Sequence, residues 1–127
     1  MNMSRDPETT VQQTTGATVR ALTDALNARD RQATAALFTP DAVFRPGAAG
    51  ASFAGPEAIT DALFGFLDGH RSGRFETLHQ LIAGHEAFEE WTWAGVTRAG
   101  EPAESCGCDY YLVRDGKVAL RSTFRKT

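Results

Sequence analysis

The chain has 127 residues, which is enough for one compact domain with its own core and too few for two. Hydrophobic residues make up 42% and charged residues 23% of the sequence, the mix of an ordinary soluble globular protein. The 13 basic and 16 acidic side chains give a net charge of −3, and no block of six basic residues occurs, so nucleic acid is not expected as a partner.

Apolar runs in the sequence are far shorter than a membrane span, so no membrane partner is expected. The N-terminal segment MNMSRDPETTVQQTT is polar and lacks the cationic start and apolar stretch of a secretory signal. We therefore expect a cytoplasmic protein.

The first part of the chain predicts a tail and two helices. Residues 1–9 are expected to form a disordered tail, and residues 10–127 a single domain. Apolar positions at near-helical spacing predict an amphipathic helix from Thr10 to Asn27. Asp30 is placed to cap a short second helix that ends at Phe38, just before a proline.

The next part predicts a small strand pair and a third helix. The segment DAVFRPG predicts a short strand stopped by its proline and glycine, and a brief strand is predicted around Phe53. Pro56 suits the first turn of a third helix, which Gly69 ends.

After Gly69 the apolar pattern changes from helical to alternating, which predicts a meander of longer strands. Asp115 and Gly116 form a strong hairpin signal between the last two. Helices first and strands afterwards predict an α+β fold, with the helices on one side of a curved antiparallel sheet. Such a sheet would enclose a pocket for a small molecule. The predicted strands lie in RFETLHQLIAG, HEAFEEWTWAGVTR, ESCGCDYYLVR and KVALRSTFRK.

A resemblance to a known family is carried by ALNARDRQATAALFTPDAVFRPG, FAGPEAITDALFGFL, EWTWAG and CDYYLVRDGKVALRSTF. In this order, over roughly residues 12–125, they resemble the nuclear transport factor 2-like superfamily, most closely its SnoaL-like polyketide cyclase and ketosteroid isomerase branch. The resemblance implies a cone-shaped curved antiparallel sheet wrapped around three N-terminal helices, a hydrophobic pocket and a homodimer through the outer sheet face. The superfamily includes isomerases, cyclases, epoxide hydrolases, dehydratases and binding proteins, so the fold does not settle the chemistry.

Asp109 is the main functional candidate, because a carboxylate in an apolar strand is costly unless it is paired, hydrogen-bonded or protonated. Strand alternation places Asp109 and Tyr111 on one face, with Cys106 and Cys108 on the other. The resemblance implies that an aspartic acid at this position stays protonated in the cavity and donates a hydrogen bond to an oxyanion. An apolar cavity would raise the pKa of Asp109 in that direction. The alternative is a structural carboxylate tied to a neighbouring arginine or backbone amide.

His79 and Tyr111 complete the predicted catalytic set with Asp109. His79 shares a predicted strand face with Phe75 and Thr77, and could meet Asp109 across the sheet as an acid–base pair. It could equally be a satisfied core histidine. The hydroxyl of Tyr111 could supply a second hydrogen bond to a ligand oxygen.

The predicted substrate-binding residues are aromatic, apolar and cationic side chains expected around the pocket. Arg45 and Arg121 could hold an anionic or enolate oxygen, or could be exposed surface charges. Trp91 and Trp93 share a strand face and could form the cavity wall or plain core. The remaining candidates are Phe44, Phe53, Phe64, Leu67, Ser122 and Phe124.

Three departures from the family narrow the expected chemistry. The resemblance implies that ketosteroid isomerases carry a general base just before the proline of the first strand, where this chain has Arg45. They also place a tyrosine on the first helix, and residues 10–27 contain none. Limonene-type epoxide hydrolases use an aspartate on the last strand, where this chain has Ser122. Neither of these two mechanisms is therefore expected.

Cys106 and Cys108 are interpreted as small apolar strand residues, since neighbours this close on one strand rarely meet disulfide geometry. No second ligand pair predicts a metal site, and no nucleotide motif or phosphate loop implies a cofactor.

Three functional hypotheses remain open for the sequence: a cofactor-independent enzyme that uses acid–base chemistry on a polyketide-like or other carbonyl substrate, a small-molecule carrier, and a dimerisation module. An outward apolar set that includes Phe88, Tyr110 and Leu112 favours a homodimer under all three.

Overall fold

The structure is a computed structural model and describes residues 7–47 and 50–126. Within these ranges it contains α1 (Pro7–Asn27), α2 (Arg31–Ala36), β1 (Phe38–Arg45), β2 (Phe53–Ala54), α3 (Pro56–Asp68), β3 (His70–Ala83), β4 (Glu86–Thr97), β5 (Pro102–Arg114) and β6 (Lys117–Arg125). The first helix therefore begins three residues earlier than predicted. The rest of the predicted tail, residues 1–6, lies outside the described residues.

The short helix α2 ends earlier than the sequence predicts. The side chain of Asp30 accepts a hydrogen bond from the amide of Ala33, which is the predicted N-cap. The helix stops at Ala36 rather than Phe38, because Phe38 pairs with Val118 in the sheet and begins β1. Tertiary strand pairing here overrides local helical pattern.

The six strands form one sheet in the order β2-β1-β6-β5-β4-β3. Strand β1 runs parallel to β6, and the other pairings are antiparallel. The sheet is therefore mixed, whereas the sequence predicts a purely antiparallel sheet. A helix and four strands separate β1 from β6 along the chain, and such a long connection permits a parallel pair. The remaining α+β arrangement follows the prediction.

The hydrophobic core lies between the helices and one face of the sheet. Helix α1 contributes Val19 and Leu22, and α3 contributes Ile59, Leu63 and Leu67, at helical spacing. The opposite sheet face carries exposed apolar side chains. None of the helices in residues 7–47 and 50–126 is both long and apolar enough to cross a membrane.

Two irregularities in the sheet decide which side chains face the core. On β3, Thr77 pairs with Trp91 and His79 pairs with Glu90, so Leu78 is an extra residue. On β6, Val118 pairs with Val113 and Leu120 pairs with Leu112. Beyond each shift, the side chains that simple alternation assigns to the inner face lie on the outer face, and those assigned to the outer face lie on the inner face.

Candidate functional site

A cavity of about 290 Å³ lies between helix α3 and the inner face of the sheet. Its wall is mainly apolar and aromatic, and its charged groups are arginines of β6. This is close to the lower size limit of small-molecule sites in proteins. The lining residues are Leu26, Phe44, Pro46, Phe53, Ala62, Leu63, Phe66, Leu67, Phe75, Trp91, Arg121, Thr123 and Arg125.

A buried hydrogen-bonded network with Asp109 at its centre reaches the cavity wall through Arg121 and Thr123. One carboxylate oxygen of Asp109 accepts hydrogen bonds from Arg121 Nη2 at 3.0 Å and from the Tyr111 hydroxyl at 3.2 Å. The other accepts from the Thr123 hydroxyl at 2.7 Å. Arg121 Nε also donates to the Tyr111 hydroxyl, at 3.1 Å. All four side chains are buried, which makes these bonds strong and their loss costly.

Adjacent strands produce this network directly from their register. Asp109 and Tyr111 are two residues apart on β5, so both side chains face inward. Thr123 pairs with Asp109, and Arg121 pairs with Tyr111, on neighbouring β6. Facing pairs on one sheet face are close enough for direct side-chain contact.

Electrostatics keep Arg121 charged at the cavity wall. Burial opposes the charged form most strongly, but the attraction of Asp109 together with the contributions of Tyr111 and Glu89 outweighs it, so the pKa of Arg121 is raised. Burial also raises the pKa of the Tyr111 phenol well above its ordinary value. The pair is therefore a guanidinium next to a neutral phenol, and it lies beside an apolar cavity.

A second buried carboxyl group, Glu89, lies deeper behind the cavity. It accepts hydrogen bonds from the Thr23 hydroxyl at 3.3 Å and from Gln80 Nε2 at 3.2 Å. Burial, followed by repulsion from Asp109, raises the pKa of Glu89 above its ordinary value. Its register partner on β5 is Asp109, so the two carboxyl groups are neighbours.

A small recess lined by Glu89 and Asp109 shares part of its wall with the cavity. It has a volume of about 10 Å³, close to the least space that holds one water molecule. Four cavity residues also line this recess: Leu26, Phe75, Trp91 and Arg121. Thr23, Thr77, Glu89, Asp109 and Tyr111 complete its wall.

Glu89 is a titratable residue that the sequence reasoning missed. Trp91 and Trp93 were correctly placed on one face of β4, and extending the alternation two residues back reaches Glu89. That signal was available in the sequence.

Asp109 and Tyr111 lie together as predicted, but their contacts differ from the predicted roles. The Asp109 carboxylate accepts hydrogen bonds from Arg121, Tyr111 and Thr123 rather than donating one toward the cavity. The alternative of a carboxylate tied to an arginine matches the geometry. The hydroxyl proton of Tyr111 is used on Asp109, which leaves none for a ligand.

His79 does not lie near Asp109, so the predicted acid–base pair is wrong in its geometry. The side chain of His79 is 79% exposed and bonds through Nδ1 to Glu90 at 2.8 Å on the outer sheet face. The extra residue Leu78 reverses the alternation after Thr77. Phe75 and Thr77 consequently face inward, whereas His79 faces outward.

The predicted binding residues divide between the cavity and other places. Those that line the cavity are Phe44, Phe53, Leu67, Trp91 and Arg121. Phe64 and Trp93 are buried in the core and are absent from the described lining; the neighbouring Phe66 lines the cavity instead. Trp93 packs against Phe66 and Phe75 with ring centroids 5.0 and 4.8 Å apart, so it supports the wall from behind.

Arg45, Ser122 and Phe124 lie on the outer side of the sheet, contrary to their predicted place in the cavity. They line a shallow outer groove, because Arg45 pairs with Ser122 and both point away from the core. Besides Arg121, strand β6 directs Thr123 and Arg125 into the cavity, and the sequence reasoning missed these two. The bulge near Ala119 conceals this face from simple counting.

Cys106 and Cys108 are half-buried free thiols on β5. Within residues 7–47 and 50–126, no group of three or more His, Cys, Asp or Glu side chains is arranged to hold a metal ion.

Comparison with solved structures shows the nuclear transport factor 2-like fold. A Mesorhizobium loti nuclear transport factor 2-like protein of unknown function has a TM-score of 0.76, 21% identity and 100% coverage of both chains. A Jannaschia sp. CCS1 protein designated a SnoaL-like polyketide cyclase has a TM-score of 0.82 and 16% identity, covering 98% of this chain and 92% of its own. An LEH-like epoxide hydrolase of Mycobacterium tuberculosis has a TM-score of 0.77 and 17% identity, covering 91% of this chain and 84% of its own.

The family of the protein is identified by a match between its sequence and a protein-family model. The model of the SnoaL-like domain matches residues 19–121, which is most of the chain. The protein belongs to the SnoaL-like domain family. No curated protein matches the chain significantly.

Proposed function

We propose that the protein is a cofactor-independent enzyme of the cyclase, isomerase or dehydratase type, acting on a polyketide-like or other carbonyl compound. The observation that carries the proposal is Arg121, a buried cation on the wall of an apolar cavity that Asp109 and Tyr111 hold in place. Fixed cations in water-poor sites stabilise oxygen atoms that become negative during a reaction. The family includes solved structures designated as cyclases, which supports the same class.

Arg121 is suited to an oxyanion because its position is set before a ligand binds. Two of the five N–H groups of a guanidinium suffice for its described bonds to Asp109 and Tyr111. The remaining groups can bind the carbonyl oxygen of a substrate. Asp109 is then a positioning residue, and its role differs from the predicted direct donor.

Glu89 is the proposed proton-transfer group. When the α C–H bond of a ketone breaks, its electron pair forms the enolate, whose oxygen binds Arg121, and the proton passes to Glu89. A water in the recess between Glu89 and the cavity can carry that proton. The raised pKa of Glu89 suits it to accept a proton and return it.

The exchange of α-protons for deuterium tests this chemistry without knowledge of the natural product. A panel of bicyclic ketones and 1,3-diketones is incubated with the protein in D₂O and followed by proton NMR. We expect the wild type to accelerate exchange for at least one compound, and Asp109→Asn to slow it about tenfold or more. His79→Ala is the matched control, because His79 lies outside the cavity, and it should retain the full rate.

Two results would contradict the enzyme proposal. Equal exchange rates for the wild type and Asp109→Asn would show that the hydrogen-bonded network has no role in the reaction. Saturation-transfer NMR that shows binding without accelerated exchange would favour the carrier hypothesis instead.

We also propose that the protein forms a homodimer through the outer sheet face. Phe88, Leu81 and Phe124 are 48%, 73% and 58% exposed there, and the ring of Phe88 lies 5.2 Å from that of Tyr110. Large apolar side chains clustered on one exposed face favour contact with another protein surface.

A further inference from the structure

We infer that the ligand of the cavity is an apolar organic acid, whose carboxylate binds Arg125 at the rim while its body fills the aromatic interior. This inference rests on the proposed function, in which the cavity holds the substrate, and it adds the charge and polarity of that substrate. It begins from an asymmetry in the cavity wall. The described lining contains two arginines and no acidic residue, in a chain whose net charge is −3.

The two arginines have different surroundings. Arg121 is buried, and Asp109 balances its charge at 3.0 Å. Arg125 is exposed. Within the described residues its guanidinium carbon lies 5.3 Å from the centroid of the Phe66 ring. Phe66 lines the cavity, so this contact holds the guanidinium at the cavity rim. Arg125 thus presents an unbalanced positive charge to anything that enters.

The backbone fixes Arg125 in this place. Arg125 pairs with Gly107 on β5, and the amide of the next residue, Lys126, donates to the carbonyl of Cys106 at 3.0 Å. Arg121 and Arg125 are four residues apart on one strand face, which corresponds to roughly 13 Å between their Cα atoms. A ligand with a carbonyl near Arg121 and an acid group near Arg125 therefore has its two oxygen functions at opposite ends of an apolar body.

The body of the ligand is defined by the aromatic rings that line the same cavity as the two arginines. Phe44 and Phe53 stack with centroids 6.2 Å apart, and Phe75 contacts Trp91 edge-on at 5.6 Å. These side chains offer flat apolar surfaces and no charge. A flat or conjugated acid matches both the surfaces and the cationic rim.

A pair of fluorescent probes separates charge from shape. Anilinonaphthalene sulfonate and phenylnaphthylamine share one ring system, and only the first carries an anionic group, here standing in for the carboxylate. We expect the wild type to bind both, and Arg125→Gln to weaken the anionic probe about fivefold while leaving the neutral probe unchanged. Arg74→Gln, an exposed β3 arginine outside the described lining, should change neither.

Salt and a cavity-filling variant complete the design. Raising the NaCl concentration should weaken the anionic probe in the wild type more than in Arg125→Gln. Ala62 lines the cavity, so the larger side chain of Ala62→Phe should fill it and abolish binding of both probes. Circular dichroism checks that this variant is folded. Retained binding in Ala62→Phe, equal weakening of both probes in Arg125→Gln, or no binding to the wild type would each overturn the inference.

These probes do not measure catalysis, so the two proposals fail separately. Loss of the Arg125 effect would leave the chemistry of Asp109 and Arg121 intact. An exchange rate that Asp109→Asn does not change would contradict the enzyme proposal, and the proposal of an acid-binding cavity would still stand.

Discussion

The carboxylate of Asp109 lies 3.0 Å from Nη2 of Arg121, and the two side chains are only 2% and 7% exposed. This buried ion pair joins β5 to β6, and its Arg121 lines both the mainly apolar cavity and the recess that Asp109 also lines. It answers how a carboxylate is tolerated in the middle of an apolar strand, because its charge is balanced and its oxygens are hydrogen-bonded.

Breaking the pair should cost more stability than replacing it. We expect Asp109→Leu and Arg121→Met each to lower the free energy of unfolding by about 3 kcal/mol, since each leaves a buried charge without its partner. The double variant should recover most of that loss. Urea denaturation at neutral pH provides the double-mutant cycle, and strictly additive losses would show that the two residues are not coupled.

Glu89 should make the stability of the protein depend on pH. Its pKa is raised in the folded state, so its favourable contribution is complete below the ordinary value of 4.5 and is lost as the pH rises through the raised pKa. Glu89→Gln has no such loss. As the pH rises from 4.5 to 8, we expect the Tm of Glu89→Gln to increase by about 3 °C relative to the Tm of the wild type.

Glu90→Gln is the control for that measurement. Glu90 is the next residue on β4, but hydrogen bonds from Lys126 and His79 on the outer face lower its pKa. Its favourable contribution is present above the ordinary value and lost at lower pH. Thermal unfolding should therefore show no gain for Glu90→Gln at high pH, and a gain equal to that of Glu89→Gln would refute the role of burial.

Gly107 should be required for the aromatic wall. A Cβ atom there would meet the carbonyl oxygen of Phe124 and lie 3.0 Å from the ring of Trp91. Gly107→Ala is therefore expected to lower the free energy of unfolding by about 2 kcal/mol through overpacking.

Gly65→Ala provides the opposite expectation on helix α3. Among the described residues, no atom lies within 4 Å of a Cβ built there. Because alanine favours helix more than glycine, the variant should gain about 0.5–1 kcal/mol. Chemical denaturation compares the two substitutions, and a neutral Gly107→Ala would show that the strand pair can separate without cost.

The proposed dimer should be sensitive to charge on the outer face. We expect Phe88→Glu to convert a dimer into a monomer in light scattering coupled to gel filtration, because a carboxylate would be buried at the interface. Ala58→Glu, on the exposed side of α3, should leave the dimer intact. A wild type that is monomeric at all concentrations would contradict the proposal.

The sequence predicts the element order well because periodicity and caps are local signals. Asp30, Pro56 and Gly69 mark helix ends that the structure confirms. The parallel pairing of β1 with β6 depends on contacts between distant segments, and no local pattern encodes it.

The site is predicted only in part, for a similar reason. Alternation along β5 is regular, so Asp109 and Tyr111 are found correctly on the inner face. Alternation fails on β3, where the bulge at Leu78 turns His79 outward, and on β6, where the inward residue is Thr123 rather than Ser122. Bulges are set by pairing with the neighbouring strand, which a single sequence does not display.

The most direct test of the central proposal is the rate of α-proton exchange catalysed by Arg121→Gln, measured by proton NMR at saturating ketone. Glutamine removes the cation that stabilises the enolate oxygen, so kcat should fall about 100-fold, with a much smaller change in KM. His79→Ala should retain the kcat of the wild type, because His79 lies outside the cavity. An unchanged kcat for Arg121→Gln, in a variant shown to be folded, would contradict the proposal that Arg121 stabilises the reaction.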